Sequence, residues 1–185
     1  MNDKQVEYEE YYKAIEDSSK AITQDPDNAA AFFRRAVAYR DLGQSLRALQ
    51  DLNRVITLLP NKEPAFYQRA VIYDTLGKPL RALQDLNMVL KLRPRYASAF
   101  FNRGVIYDTL GETLRAIEEY DRAIELDPDY ALPFHNRGVC YVDLLQPEKA
   151  HKDFRRAHIL TLDKSRPFFN RGVTYDAIGR SDLAL

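Results

Sequence analysis

The 185-residue chain is short of several things, and each shortage removes a class of explanation. It has one cysteine, so no internal disulfide framework holds it together, and a lone thiol suits a reducing compartment. It has no net charge, because 27 lysines and arginines balance 27 aspartates and glutamates. A general nucleic-acid binder would show a basic excess. No apolar run approaches the roughly 18 residues that a membrane-spanning helix needs. The N-terminal stretch MNDKQVEYEEYYK is polar and acidic and lacks the apolar core of a signal peptide. The expectation is a soluble, cytoplasmic protein that neither binds nucleic acid nor inserts into a membrane.

What the chain has in abundance is self-similarity. The string FFNRGVIYDTLG returns as PFHNRGVCYVDLL and again as PFFNRGVTYDAIG, each time 34 residues on. Pro26, Pro60, Pro94 and Pro128 keep that step. So do Phe32, Phe66, Phe100, Phe134 and Phe168, the tyrosines from Tyr39 to Tyr175, and the alanines from Ala14 to Ala184. Chance does not hold several columns in register over five periods.

Each period reads as two helices. Phe100, Phe101, Gly104, Val105, Tyr107 and Leu110 recur at helical spacing, and Leu114, Ile117, Tyr120, Ala123 and Ile124 give a second stripe. Gly43, Gly77 and Gly111 stop the first helix. Ser45 and Thr113 are expected to cap the second, while Pro79 and Pro147 suit its first turn. LDPD at 126–129 ends it, because the residue before proline avoids helical torsions. One such pair cannot bury its apolar face alone, so pairs must stack.

These columns resemble the tetratricopeptide repeat. The family pattern runs from a large aromatic to a small residue and a tyrosine, then to an alanine, a large apolar residue and a proline. Phe100, Gly104, Tyr107, Ala116, Tyr120 and Pro128 fill it, as do Phe66, Ala70, Tyr73, Ala82, Leu86 and Pro94. Phenylalanine replaces the usual tryptophan, and arginine replaces the leucine that usually precedes the small residue. The resemblance implies an all-α fold, a right-handed α-solenoid of tandem helix-turn-helix repeats. Their expected bounds are 29–62, 63–96, 97–130 and 131–164, followed by a partial repeat at 165–185. Residues 1–28 are either a half repeat, second helix only, or a capping helix. Leu183 and Leu185 would end a second helix after one turn. The chain is therefore expected to be one continuous repeat domain cut from a longer protein, with self-association through its exposed ends.

Two charged columns have a structural reading. Arg35, Arg69, Arg103, Arg137 and Arg171 face an equally regular acidic set, Asp17, Asp51, Asp85, Glu119 and Asp153. Anion recognition suits guanidinium, but two opposite columns of one period point to pairs that tie helices together. Arg47 with Asp51, Arg81 with Asp85 and Arg115 with Glu119 form a second expected set at helical spacing.

Groups that do chemistry are scarce. His151 and His158 lie seven apart where Ile117 and Ile124 stand one period earlier, so they read as packing variants and not as a metal site. Cys140 stands in the column of Ile106 and reads as core. The glycines stand singly, so no phosphate loop exists. No catalytic group, cofactor or metal is expected, and the chain is not expected to be an enzyme.

In the family the first helices line a concave groove. By that resemblance the groove carries an aromatic column, Phe33, Tyr67, Phe101 and Phe169, interrupted by His135. Beside it run Arg34, Gln68, Asn102, Asn136 and Asn170. One turn on come Val37, Val71, Val105, Val139 and Val173, then Arg40, Asp74, Asp108, Val142 and Asp176. A primary amide both donates and accepts, so consecutive asparagines can hold a peptide backbone. Asn102, Asn136 and Asn170 are similar in this to the asparagine ladder of O-GlcNAc transferases, with Gln68 extending it. The competing reading is that asparagine here merely solvates a helix. Phe33, Tyr67, Phe101 and Phe169 would contact side chains, and Asp74, Asp108 and Asp176 would favour basic character. The carboxylate clamp of chaperone co-factors wants asparagine where this chain has valine, so chaperone C-terminal tails are not expected ligands. The leading expectation is a non-catalytic protein–protein interaction scaffold that takes an extended peptide or partner helix. Its rivals are an assembly solenoid and the substrate-recruiting domain of a larger enzyme.

Overall fold

A computed structural model describes residues 3–162. Among them all regular structure is helical: α1 (Asp3–Gln24), α2 (Ala29–Asp41), α3 (Ser45–Leu58), α4 (Glu63–Thr75), α5 (Pro79–Leu92), α6 (Ala97–Thr109), α7 (Thr113–Leu126), α8 (Ala131–Asp143) and α9 (Pro147–Leu162). Two compact units part at Pro94 and Arg95. In the first, each helix from α1 to α5 packs on the next, and α2 also touches α4. In the second, α6 to α9 pack in the same succession, and α6 touches α8.

The turns between paired helices share one geometry. Gly43, Gly77 and Gly111 adopt φ of 71°, 64° and 76°, where a side chain would strain the backbone. The following N–H reaches back five residues, as from Gln44 to the Tyr39 carbonyl at 2.7 Å, and satisfies an end carbonyl of the helix. In the fourth turn Leu145 takes the glycine's place at φ 57°. Pro79 and Pro147 open α5 and α9 as expected. Ser45 and Thr113 do not cap. They are the first helical residues of α3 and α7, behind Gln44 and Glu112, and neither of those makes a side-chain cap bond.

Within a repeat the helices meet at a small residue. Ala36 and Leu52 share one core cluster in the first unit. In the second unit the small residue is glycine. A Cβ on Gly104 would lie 2.6 Å from the Tyr120 ring, and one on Gly138 would lie 2.7 Å from the Phe154 ring. Those contacts are shorter than any real Cβ tolerates, so the aromatic ring fixes the glycine.

The arginine column ties these helices. Arg35 makes two parallel bonds to Asp51, both 2.8 Å, and donates to Ser19 Oγ of α1 at 3.0 Å. Arg69 repeats this with Asp85, both 2.7 Å, and with Asn53 of α3. Arg103 grips Glu119 at 2.9 and 2.8 Å. Arg137 grips Asp153 at 2.7 and 2.8 Å and also reaches Asp121 of α7. The forked geometry suits guanidinium and not ammonium. Each of these guanidinium groups also lies over the phenylalanine three residues before it, at 5.4–5.6 Å from the ring centre. Arginine in place of the usual leucine thus becomes a buried rivet. The expected helical pairs from Arg47, Arg81 and Arg115 do not form. Their acids face inward, and these arginines instead lie 5.7 Å over Tyr39, Tyr73 and Tyr107.

Candidate functional site

The first helices of consecutive repeats touch one another in both units, which sets the columns of the expected groove side by side. From α2, Arg40 Nη1 donates to Gln68 Oε1 on α4. From α8, Cys140 donates its S–H to Asp108 Oδ1 on α6 at 3.6 Å. Repeat-to-repeat contact therefore runs through the very positions expected to face a ligand.

In the first unit, Phe33 and Tyr67 are half-buried, and Phe33 leans on the core. Arg34 is exposed, Val37 and Val71 are half-buried, and Asp74 sits one turn beyond. Gln68 accepts from Arg40, so its carbonyl already serves the wall itself.

The second unit differs. Phe101 is 2% exposed and belongs to the core, with its ring centre 5.9 Å from Tyr120 and 5.2 Å from Tyr130. Its side chain is therefore no surface anchor. Gly104 leaves room for the Tyr120 ring, and Phe101 packs beside that ring. Asn102 is also buried, 8% exposed. Asn136 is half-buried on α8, beside His135, whose ring packs 5.4 Å from Phe154. Burial lowers the His135 value, which favours its neutral form. The Tyr120 hydroxyl is buried beside the Asn136 amide without the geometry of a full hydrogen bond. Burial pushes its pKa far above the ordinary tyrosine range, so the hydroxyl stays protonated. Burial also pushes the Cys140 thiol up, with Asp108 adding to it, so Cys140 is a packed thiol and no nucleophile.

The structure thus brings Asn102, Asn136 and Asp108 onto two touching helices, and Phe33, Tyr67, Gln68 and Asp74 onto another touching pair. Asn170, Phe169 and Asp176 lie outside the described residues. What the sequence reading missed is that Tyr120, fully buried on α7, packs against Gly104 and Phe101 of the first helix. The available signal was a glycine column facing an aromatic column sixteen residues on, at Gly104 with Tyr120 and Gly138 with Phe154.

Sequence profiles described as tetratricopeptide repeat match residues 67–131 and, separately, 19–50 and 119–152, together more than half of the chain. The chain belongs to the tetratricopeptide repeat family. Solved structures agree on the fold. A crystal structure of MamA is 25% identical, with 89% of this chain and 97% of that one covered at a TM-score of 0.79. MamA from Desulfovibrio magneticus RS-1 is 21% identical, covering 90% and 99% at a TM-score of 0.77. YrrB, described as a TPR protein with an unusual peptide-binding site, is 23% identical, covering 84% and 80% at a TM-score of 0.70. No curated protein matches the chain. Tetratricopeptide repeats are generally scaffolds for protein interaction, and that general role comes with membership. Among the described residues no helix is long and apolar enough to cross a membrane.

Proposed function

We propose that the wall of first helices holds an extended peptide or a partner helix, and that the chain performs no chemistry on it. The observation that carries this reading is the direct contact between equivalent helices, Arg40 with Gln68 and Cys140 with Asp108. It turns isolated columns into a continuous surface within each unit. Asn136, half-buried on α8, supplies an amide that matches both the donor and the acceptor of a peptide backbone. Phe33 and Tyr67 supply apolar area for side chains. Asp74 and Asp108 favour a ligand with basic character. The columns continue in sequence at Asn170, Phe169 and Asp176. Valine at 37, 71, 105 and 139 leaves no clamp for a terminal carboxylate.

The test begins with peptides selected from a random display library against the intact chain. Asn136→Ala should weaken them by at least about tenfold by fluorescence anisotropy, with helical circular dichroism unchanged. Equal affinity for both proteins would remove the wall from the binding site.

A further inference from the structure

A second surface lies at the outer ends of α3 and α5. Leu46 and Leu80 stand at the second residue of their helices and are 70% and 69% exposed. A single exposed leucine needs no explanation. Exposure at one register in successive repeats does need one, because packing cannot maintain a side chain that packs against nothing. Leu46 also lines an open groove with Arg47, the turn at Gly43–Ser45, and Leu76 from the end of α4.

On α3 and α5 themselves the charge beside these leucines is one-sided, and Asp41, just before the Gly43 turn, is taken by Arg40. The carboxylates of α3 and α5 are Asp51 and Asp85, both buried and taken by Arg35 and Arg69. What faces outward beside the leucines is Arg47, Arg81 and Lys78. Arg47 donates only to the neutral Gln44, at 2.8 Å, and neither Arg47 nor Arg81 has an ion pair among the described residues. Their position over Tyr39 and Tyr73 holds both guanidinium groups in place. The second unit is different at the same register. Leu114 is 67% exposed, but Arg115 there is neutralised by Glu112 at 2.5 Å.

We propose that this edge of the first unit docks an acidic amphipathic helix from a partner protein. Its apolar face lies on Leu46, Leu76 and Leu80, and its carboxylates meet Arg47 and Arg81. A helix laid in a groove presents apolar anchors on one face with charge on both flanks. Guanidinium prefers the two-pronged carboxylate such a flank offers. The leucines separate this occupant from a nucleic acid, whose backbone gives them nothing to bury.

The probe is a labelled synthetic helix with leucines along one face and glutamates flanking them, and its control carries lysines in place of the glutamates. The intact chain should bind the acidic helix and not the basic one, with affinity falling as salt rises. Leu46→Ser with Leu80→Ser, and separately Arg47→Glu with Arg81→Glu, should each weaken binding by at least about tenfold with helical circular dichroism kept; the leucine pair should leave melting unchanged, and the arginine pair should melt slightly lower because it gives up its contacts over Tyr39 and Tyr73. The arginine reversal should also admit the basic helix. Asn136→Ala should leave the affinity as it was, which separates this edge from the wall of first helices. No binding of the acidic helix, equal binding of both helices, or binding untouched by either double variant would overturn the proposal. So would loss of binding in Asn136→Ala. Anionic phospholipid vesicles or an oligonucleotide held by the same four residues, with the acidic helix ignored, would assign the edge to another class of partner and end it too.

Discussion

In the first unit the small residue at a helix crossing is alanine, Ala36 or Ala70, and the residue sixteen on is leucine, Leu52 or Leu86. In the second unit the same places hold Gly104 with Tyr120 and Gly138 with Phe154. The helix pairs are alike, so the two solutions fill equivalent space with different partners. The small residue is set by what faces it, and no single position in the crossing can be read alone. The arginine rivets show the same division. Arg35 and Arg69 send their third bond to neutral acceptors, Ser19 and Asn53, whereas Arg137 sends it to the carboxylate of Asp121. Burial alone would lower the Arg137 value, but Asp153 and Asp121 raise it above the ordinary guanidinium range. One rivet of the second unit is thus doubly anchored.

The largest expected effect breaks that second comparison. Asp51→Ala leaves Arg35 partly buried with only a hydroxyl for company, and should cost about 3 kcal/mol of unfolding free energy. Asp153→Ala leaves Arg137 its second carboxylate and should cost at least ~1 kcal/mol less. Urea unfolding of both variants, read by circular dichroism, decides it. Equal losses would mean that Asp121 contributes nothing to the rivet.

A smaller effect tests the crossing. Gly104→Ala forces a methyl into the Tyr120 ring and should destabilise by about 1–3 kcal/mol, despite alanine's better helix propensity. Tyr120→Leu alone should cost about as much, through the cavity it leaves. Together they rebuild the alanine–leucine pair of the first unit, so the double variant should recover most of the loss. The coupling energy is the measurement. Additive losses would show that the two positions are not one packing unit.

These two cases mark what was legible in the sequence. The period fixed the helices, the glycine turns and the arginine–acid columns, because each depends on one residue type recurring at one register. The wall was less legible, because its columns mix residues whose burial depends on neighbours. Phe101 shares a column with Phe33 and Tyr67 but sinks into the core, where it packs against the tyrosine that faces Gly104. Gln68 looked like a free amide because its partner, Arg40, is 28 residues away on another helix. Arg47 looked like the mate of Asp51 because spacing along one helix does not say which side of it an acid faces. Leu46 and Leu80 passed unremarked, and Leu114 was read into the apolar stripe although it is 67% exposed, since a leucine in a helical stripe reads as core until its burial is seen.

The smallest expected effect lies in the turns. Among the described residues, three of the four close on glycine, and the fourth closes on Leu145 in the same left-handed conformation. The bonds are equivalent: Gln146 N–H reaches the Tyr141 carbonyl at 2.8 Å, as Glu112 N–H reaches that of Tyr107 at 2.8 Å. A β-carbon in that region costs about 1–2 kcal/mol, and Leu145, 87% exposed, regains little of it by burial. Glycine would relieve the strain but restore freedom to the unfolded chain, worth roughly 0.5–1 kcal/mol in the other direction. The net expectation for Leu145→Gly is a gain of about 0.5–1 kcal/mol, or a rise of a few degrees in melting temperature for a chain of this length. Gly111→Leu imposes the reverse change and should lose about as much. If Leu145→Gly instead lowers the melting temperature, the leucine must be making a contact within the chain that offsets its strain, and the fourth turn would be a packing element where the other three are only turns.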